Sequence, residues 1–201
     1  MNEHTHYDPG MCTARGCGKP ALTGASQCWQ HLSDQKTYAD SLAPDRMKDA
    51  WLAGVDLSGR DLHGVVLAGA RLSGADLRGT DLRKADLRRA FLDDADLREA
   101  NLEGALLEFA VLGGADVSGA CLRGADLRCA NMVGTKGHGA DFSGADMFYS
   151  RPGNADLRKS DFTKANIERA IFRRANLADA TFAGATGTPN FENANLEGVR
   201  R

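Results

Sequence analysis

The chain is short of the residues that mark several large functional classes. Aromatic residues make up only 6% of its 201 positions, with two Trp and three Tyr. No stretch approaches the run of about eighteen apolar residues that a membrane helix needs. The start, Met1 to Asp8, has neither a basic segment nor an apolar one, so a secretory leader is not expected and a cytoplasmic setting is. Charge of one sign is missing too: 25 Lys and Arg face 27 Asp and Glu, a net of −2. That balance excludes a basic nucleic-acid binder and an acidic disordered tail. Nucleophile–base pairings and phosphate-cradling glycine loops of the P-loop kind are not found either, so the expected protein is not an enzyme. What is plentiful is glycine, at 23 residues.

From Ala50 onward the chain repeats a five-residue unit: a small residue, Asp or Asn, an apolar centre and two variable positions, as in Ala75-Asp76-Leu77-Arg78-Gly79. Centres placed every five residues from Leu52 to Phe182 give 27 units in one register. Only Gly137 and Pro152 break the apolar column, and Arg60 is the one large residue two positions before a centre. Neither regular element explains this period. On a helix at about 100° per residue, side chains five apart diverge by about 140°, and on a strand they fall on alternate faces. The leucines can be buried together only if the backbone changes direction once per unit and winds as a solenoid with coils stacked at about 4.8 Å. Gly187-Thr188-Pro189 drops one residue before the pattern resumes at Phe191 and Leu196, which predicts a distorted last coil.

These residues, Ala-Asp-Leu-Arg-Gly and its variants to about Leu196, resemble the pentapeptide-repeat family. The resemblance implies an all-β, right-handed quadrilateral β-helix with four units per coil and about seven coils. It also implies function through protein contacts. Members of that family mimic duplex DNA and protect DNA gyrase or topoisomerase IV from poisons, a regulatory and antibiotic-resistance role. Such mimicry needs a negative surface to replace phosphates. Residues 50–201 carry 20 Lys and Arg against 21 Asp and Glu, a net of −1, which weakens that alternative.

The first 49 residues differ in kind and form a separate expected unit, with the repeats as 50–201. Cys12, Cys17, Cys28 and His31 give C-x4-C-x10-C-x2-H, framed by Gly16, Gly18 and Pro20. Three soft thiols and an imidazole suit a tetrahedral structural zinc, and metal binding can supply folding free energy that so small a core lacks. The rivals are reduced cysteines or a disulfide, the latter disfavoured in a reducing compartment. The arrangement resembles a small bacterial zinc knuckle. His4 and His6 are further metal candidates, read as an unstructured pair. Helix-start signals at Ser33, a candidate N-cap, and around Pro44 predict one or two short helices covering the first coil and its open edges.

Twenty residues per coil would sort the outward positions into vertical columns. Asp56, Asp76, Asp96 and Asp116 form one acidic ladder, and Asp61, Asp81, Asp141 and Asp161 another. Both are read as turn-forming residues of the repeat, since Asp side chains bond to backbone N–H groups nearby. Phe91, Leu106, Phe109, Val111, Val133, Phe148 and Tyr149 form an apolar stripe. A contiguous stripe of this kind marks a partner or self-association surface, unless the N-terminal module folds back over it. Monomer and homodimer both remain open. Lys136-Gly137-His138 and Arg151-Pro152-Gly153, where the core pattern fails, are read as decayed repeats or a small ligand niche. Cys121 and Cys129 are plain outward thiols. The expected protein is therefore a non-catalytic interaction scaffold, without direct nucleic-acid or membrane binding. A second alternative makes the zinc module the recognition element and the repeats a rigid spacer.

Overall fold

A computed structural model of the chain describes residues 10–43 and 47–201. From Ala50 onward the same backbone cycle recurs every five residues: a bridge, an inward residue and a two-residue turn. With the exception of Arg151, which is followed by Pro152 and its missing N–H, each bridge residue from Trp51 to Asn166 pairs in parallel with the residue twenty positions on, as in Trp51 with Arg71, Asp56 with Asp76, Asp61 with Asp81 and Val66 with Asp86. One coil therefore consumes four units, and the solenoid has four walls. They are named here by their lowest centres: the Leu52, Leu57, Leu62 and Leu67 walls. Beyond Gly187 the offset falls to nineteen, as in Ile171 with Asn190 and Asn176 with Asn195, which accommodates the missing residue without loss of pairing.

The core follows from this geometry. Leu52, Leu57, Leu72, Leu77 and the other centres up to Leu177 point inward, nearly all with no exposure, and the small residue two positions earlier fills the corner beside each. Full burial of one such leucine contributes roughly 1.5–3 kcal/mol. Phe142, Phe162 and Phe182 stack along the Leu62 wall with centroids 5.0 and 4.7 Å apart, and Phe172 meets Phe162 edge-on. Gly137 leaves no void. A methyl group there would lie 2.8 Å from Leu157 and 3.2 Å from Val117, so the neighbouring coils already occupy the space. Where Thr or Ser replaces the corner alanine, Thr80, Thr135 and Ser160 donate to the carbonyls of Leu57, Leu112 and Gly137. The buried hydroxyl of Ser150 has no such partner among the described residues.

Before the repeats, a single 3₁₀ turn spans Trp29–His31 and one helix, α1, spans Gln35–Ser41. The helix is capped by Asp34, whose side chain accepts from the Thr37 N–H at 2.9 Å. The cap is thus one residue later than Ser33, because the carboxylate, the better acceptor, lies three residues before a free N–H. No second helix follows within the described residues. Pro44 and its two successors lie outside them, as do His4 and His6, and Met47 to Ala50 form a turn. The segment packs on the first coil. Thr23 exchanges hydrogen bonds with the Trp51 backbone, and Tyr38 donates to the Thr23 carbonyl. Arg60, the large corner residue, reaches out to the Ala39 carbonyl at 2.9 Å and to Asp40 at 2.5 Å. Its departure from the repeat is a clasp onto α1.

Candidate functional site

Two features rise above the regular scaffold: a cluster of soft ligands in the N-terminal segment and an aromatic column on one corner of the solenoid.

The tight turn at Ala14–Cys17 and the 3₁₀ turn after Cys28 bring Cys12, Cys17, Cys28 and His31 together, all donor atoms lying within 4.8 Å of one another. The Cys17 and Cys28 sulfurs are 3.6 Å apart, and His31 Nδ1 lies 3.5 Å from the Cys12 sulfur and 3.4 Å from that of Cys28. Bond lengths of about 2.3 Å to sulfur and 2.0–2.1 Å to nitrogen give a tetrahedron with edges of about 3.5–3.8 Å. The donor set fits a single tetrahedral metal ion. Two thiols respond oppositely to this crowding. Hydrogen bonding from the Cys28 backbone, aided by Ala14, Cys17 and His31, lowers the Cys12 thiol to about 6 against the effect of burial. Burial, followed by the neighbouring sulfurs, raises that of Cys17.

The second feature lies where the Leu67 wall turns into the Leu52 wall. There Arg89, Phe109, Cys129, Tyr149 and Arg169 occupy one vertical column, each the last residue of its unit. All five have positive φ, +59° at Phe109 and +56° at Tyr149. Phe109 is 50% exposed and Tyr149 43%. Arginines bracket them: Arg89 lies 5.9 Å from the Phe109 ring, and Arg169 lies 5.2 Å from the Tyr149 ring while donating to its hydroxyl at 2.6 Å. Phe91, Leu106 and Val133 are exposed nearby, whereas Val111 and Phe148 are half-buried, the latter against Tyr149 with centroids 4.9 Å apart. The N-terminal segment contacts the first coil and leaves this stripe uncovered among the described residues. A further stack stands lower on the Leu52 wall, with Arg71 between Trp51 and Phe91 at 4.6 and 4.7 Å. The sequence signals for it were an arginine and two rings spaced by twenty.

The acidic ladders stand where the spacing put them, but they are spent locally. Asp76, Asp81, Asp96 and Asp156 each accept from the N–H two residues on and from the arginine at that same position, Arg78, Arg83, Arg98 and Arg158. Asp56, Asp61, Asp116 and Asp161 accept from the backbone N–H two residues on but from no arginine, Asp56 also accepting from the Ser58 hydroxyl at 2.7 Å. Asp141 caps Ser143 and also pairs with Arg123 at 3.0 Å. The arginine hydrogen bonds hold Asp81 at about 2 and lower Asp76, Asp96 and Asp156. A carboxylate so neutralised and so acidic serves neither as a general acid nor as a bare negative charge. Cys121 and Cys129 are free and half-buried. No helix of the described residues is long and apolar enough to cross a membrane.

The family model for pentapeptide repeats matches residues 50–89, 90–128, 122–148 and 153–186, with eight copies. Curated proteins give no match. Among solved structures, a trypsin-treated variant of QnrB1, a plasmid-mediated fluoroquinolone resistance protein, is 19% identical over 79% of this chain and 87% of its own, with a TM-score of 0.49. A pentapeptide-repeat protein of the Arabidopsis thaliana thylakoid lumen is 29% identical over 66% and 75%, with a TM-score of 0.40. HetL of Nostoc sp. strain PCC 7120, involved in heterocyst differentiation regulation, is 27% identical over 74% and 88%, with a TM-score of 0.27. Pentapeptide-repeat proteins form right-handed quadrilateral β-helices, and with residues 50–148 and 153–186 matched, this chain belongs to the pentapeptide-repeat family.

Proposed function

We propose that the protein is a non-catalytic scaffold that binds a protein partner through the aromatic corner around Phe109 and Tyr149. The observation that carries this reading is the backbone under those rings. Left-handed φ costs an ordinary side chain roughly 1–2 kcal/mol. Glycine occupies the equivalent position in 14 of the 27 units. Large exposed rings at strained positions contribute little to folding, so their presence points to a role outside the fold. Aromatic residues flanked by arginine are also the composition of interface anchors.

The N-terminal 49 residues act, on this reading, as a cap on a solenoid of about seven coils, tied down by a structural zinc ion held by Cys12, Cys17, Cys28 and His31. Four protein ligands leave no open position for catalysis. The DNA-mimic alternative, with gyrase or topoisomerase IV as target, needs an unbroken acidic wall. Arg78, Arg98 and Arg158 interrupt the most acidic one and oppose that alternative. Photo-crosslinking from positions 109 and 149 in cells tests the proposal, with Ser58 on the Leu57 wall as the reference site. Discrete protein adducts at 109 and 149 but not at 58 are expected. Equal or absent labelling at all three sites refutes it.

A further inference from the structure

A different part of the surface, on the upper Leu52 wall, is built to hold a negative group. The turn-forming carboxylate is absent from most of this wall, whose bridge residues are Trp51, Arg71, Phe91 and Val111 below Asn131 and Arg151 and Ile171 above it; only at Gly153 is the residue two positions on buried. The N–H two residues after Arg151 and after Ile171, at Gly153 and Arg173, consequently has no acceptor among the described residues, although Gly153 is buried. Buried backbone donors are almost always paired, so an orphan N–H in a recess calls for an acceptor from outside. Beside these donors lies a concavity of about 170 Å³ lined by Val133, Arg151, Gly153, Asn154, Ile171, Arg173 and Arg174.

The side-chain charge around it is one-sided, although Pro152, having no N–H, leaves the Ile171 carbonyl beside Gly153 without its donor from the neighbouring coil. Elsewhere on the walls Arg78, Arg83, Arg88, Arg98, Arg128 and Arg158 each pair with the aspartate two residues before. Arg151 and Arg174 make no ion pair among the described residues, and Arg173 has only Glu192, at 3.6 Å. Three arginines, two of them without an ion pair among the described residues, therefore line the recess beside the Gly153 N–H. Arginine forks and successive N–H groups both match the oxygens of a phosphoryl group. At about 30 Å³ per water, the recess has room for one such group with a few waters. We infer that this niche binds a phosphate monoanion or dianion, either free or carried on a small ligand. The near-zero net charge of the repeats argues for a single group and against a polyanion.

The test is calorimetric titration of the full-length protein at low ionic strength with inorganic phosphate and, separately, with a monoalkyl phosphate. Whichever of the two binds more tightly identifies the source of the group. Saturable one-to-one binding is expected, weakened about tenfold or more by Arg151→Gln and by Arg174→Gln, because each removes a charge-assisted contact. Arg88→Gln, which breaks a carboxylate-paired arginine on another wall, should leave it unchanged. Both test residues are exposed and unpaired, so folding is not at stake. Absence of saturable binding by either probe overturns the assignment, as does an equal loss in Arg88→Gln.

Discussion

Replacing Phe109 with glycine separates a residue kept for binding from one kept for folding. At φ +59° the ring sits in the left-handed region, and glycine there recovers roughly 1–2 kcal/mol of backbone strain. Glycine's extra freedom in the unfolded chain takes back about 0.5–1 kcal/mol. The exposed contact with Arg89 at 5.9 Å is worth about 0.5–1 kcal/mol more. These contributions nearly cancel, so stability should change by less than about 1 kcal/mol, or about 4 °C in melting temperature for a chain of this size. Leu107, two residues earlier and fully buried, supplies the contrast: Leu107→Ala should cost about 2–5 kcal/mol. Thermal unfolding followed by far-ultraviolet circular dichroism measures both. Phe109→Gly should melt like the parent while losing the partner adduct formed from position 149. A loss of stability matching that of Leu107→Ala would refute the reasoning, because it would make the ring part of the packing.

Leu97→Asp places a carboxylate between Leu77 and Val117, all three with no exposure; it forfeits about 1.5–3 kcal/mol of burial before any cost of charge and should abolish cooperative melting. One zinc per chain is expected by elemental analysis, and chelation or Cys17→Ser should release Trp29 from Gly54, seen as a change in tryptophan fluorescence, while the solenoid's β-signal persists. Ser150→Ala should raise stability by about 1 kcal/mol by removing an unpaired buried hydroxyl, whereas Ser160→Ala, which loses a bond to the Gly137 carbonyl, should lower it by about as much, both read from denaturant midpoints. Aspartates held below their ordinary value bind fewer protons folded than unfolded, so their contribution is full above about pH 4. It should fade as pH falls toward the value of about 2 at Asp81, with melting temperature dropping across that window.

The five-residue register was legible because its physical demand is severe: no helix or strand can bury Leu77, Leu82 and Leu87 together, and a solenoid can. That four units close a coil was not legible from the period, since three or five would bury the same leucines; it came from the family resemblance and stands in the pairing of Asp56 with Asp76. The proximity of Cys12, Cys17, Cys28 and His31 could be read from spacing because chemically rare residues crowd a short segment. Other features depended on contacts that spacing does not encode. Asp34 rather than Ser33 caps α1, and the arginine at the fourth position folds back on its own aspartate, so the acidic ladders are far less negative than a count of Asp suggests. Arg60 stood out as an exception in the sequence, but its role became evident only with the Ala39 carbonyl beside it.

That exception carries a wider point about this architecture. In a solenoid each coil touches only its neighbours, and the inward and corner positions are fixed by the core alone. Units that satisfy the repeat therefore say little beyond the fold. Information about function resides in the units that violate it and yet pack without loss. Arg60 breaks the corner rule and binds α1. Phe109 and Tyr149 break the turn rule and present rings. Arg151 departs from the turn-forming carboxylate ahead of a buried glycine and leaves the Gly153 N–H open. Gly137 and Ser150 also depart from the pattern, but one is filled by Leu157 and Val117 and the other faces inward. The distinction between decay and adaptation is then physical: a decayed unit is healed by its neighbours, whereas an adapted one leaves a strained backbone, an unpaired donor or an exposed ring that only something outside the solenoid can satisfy.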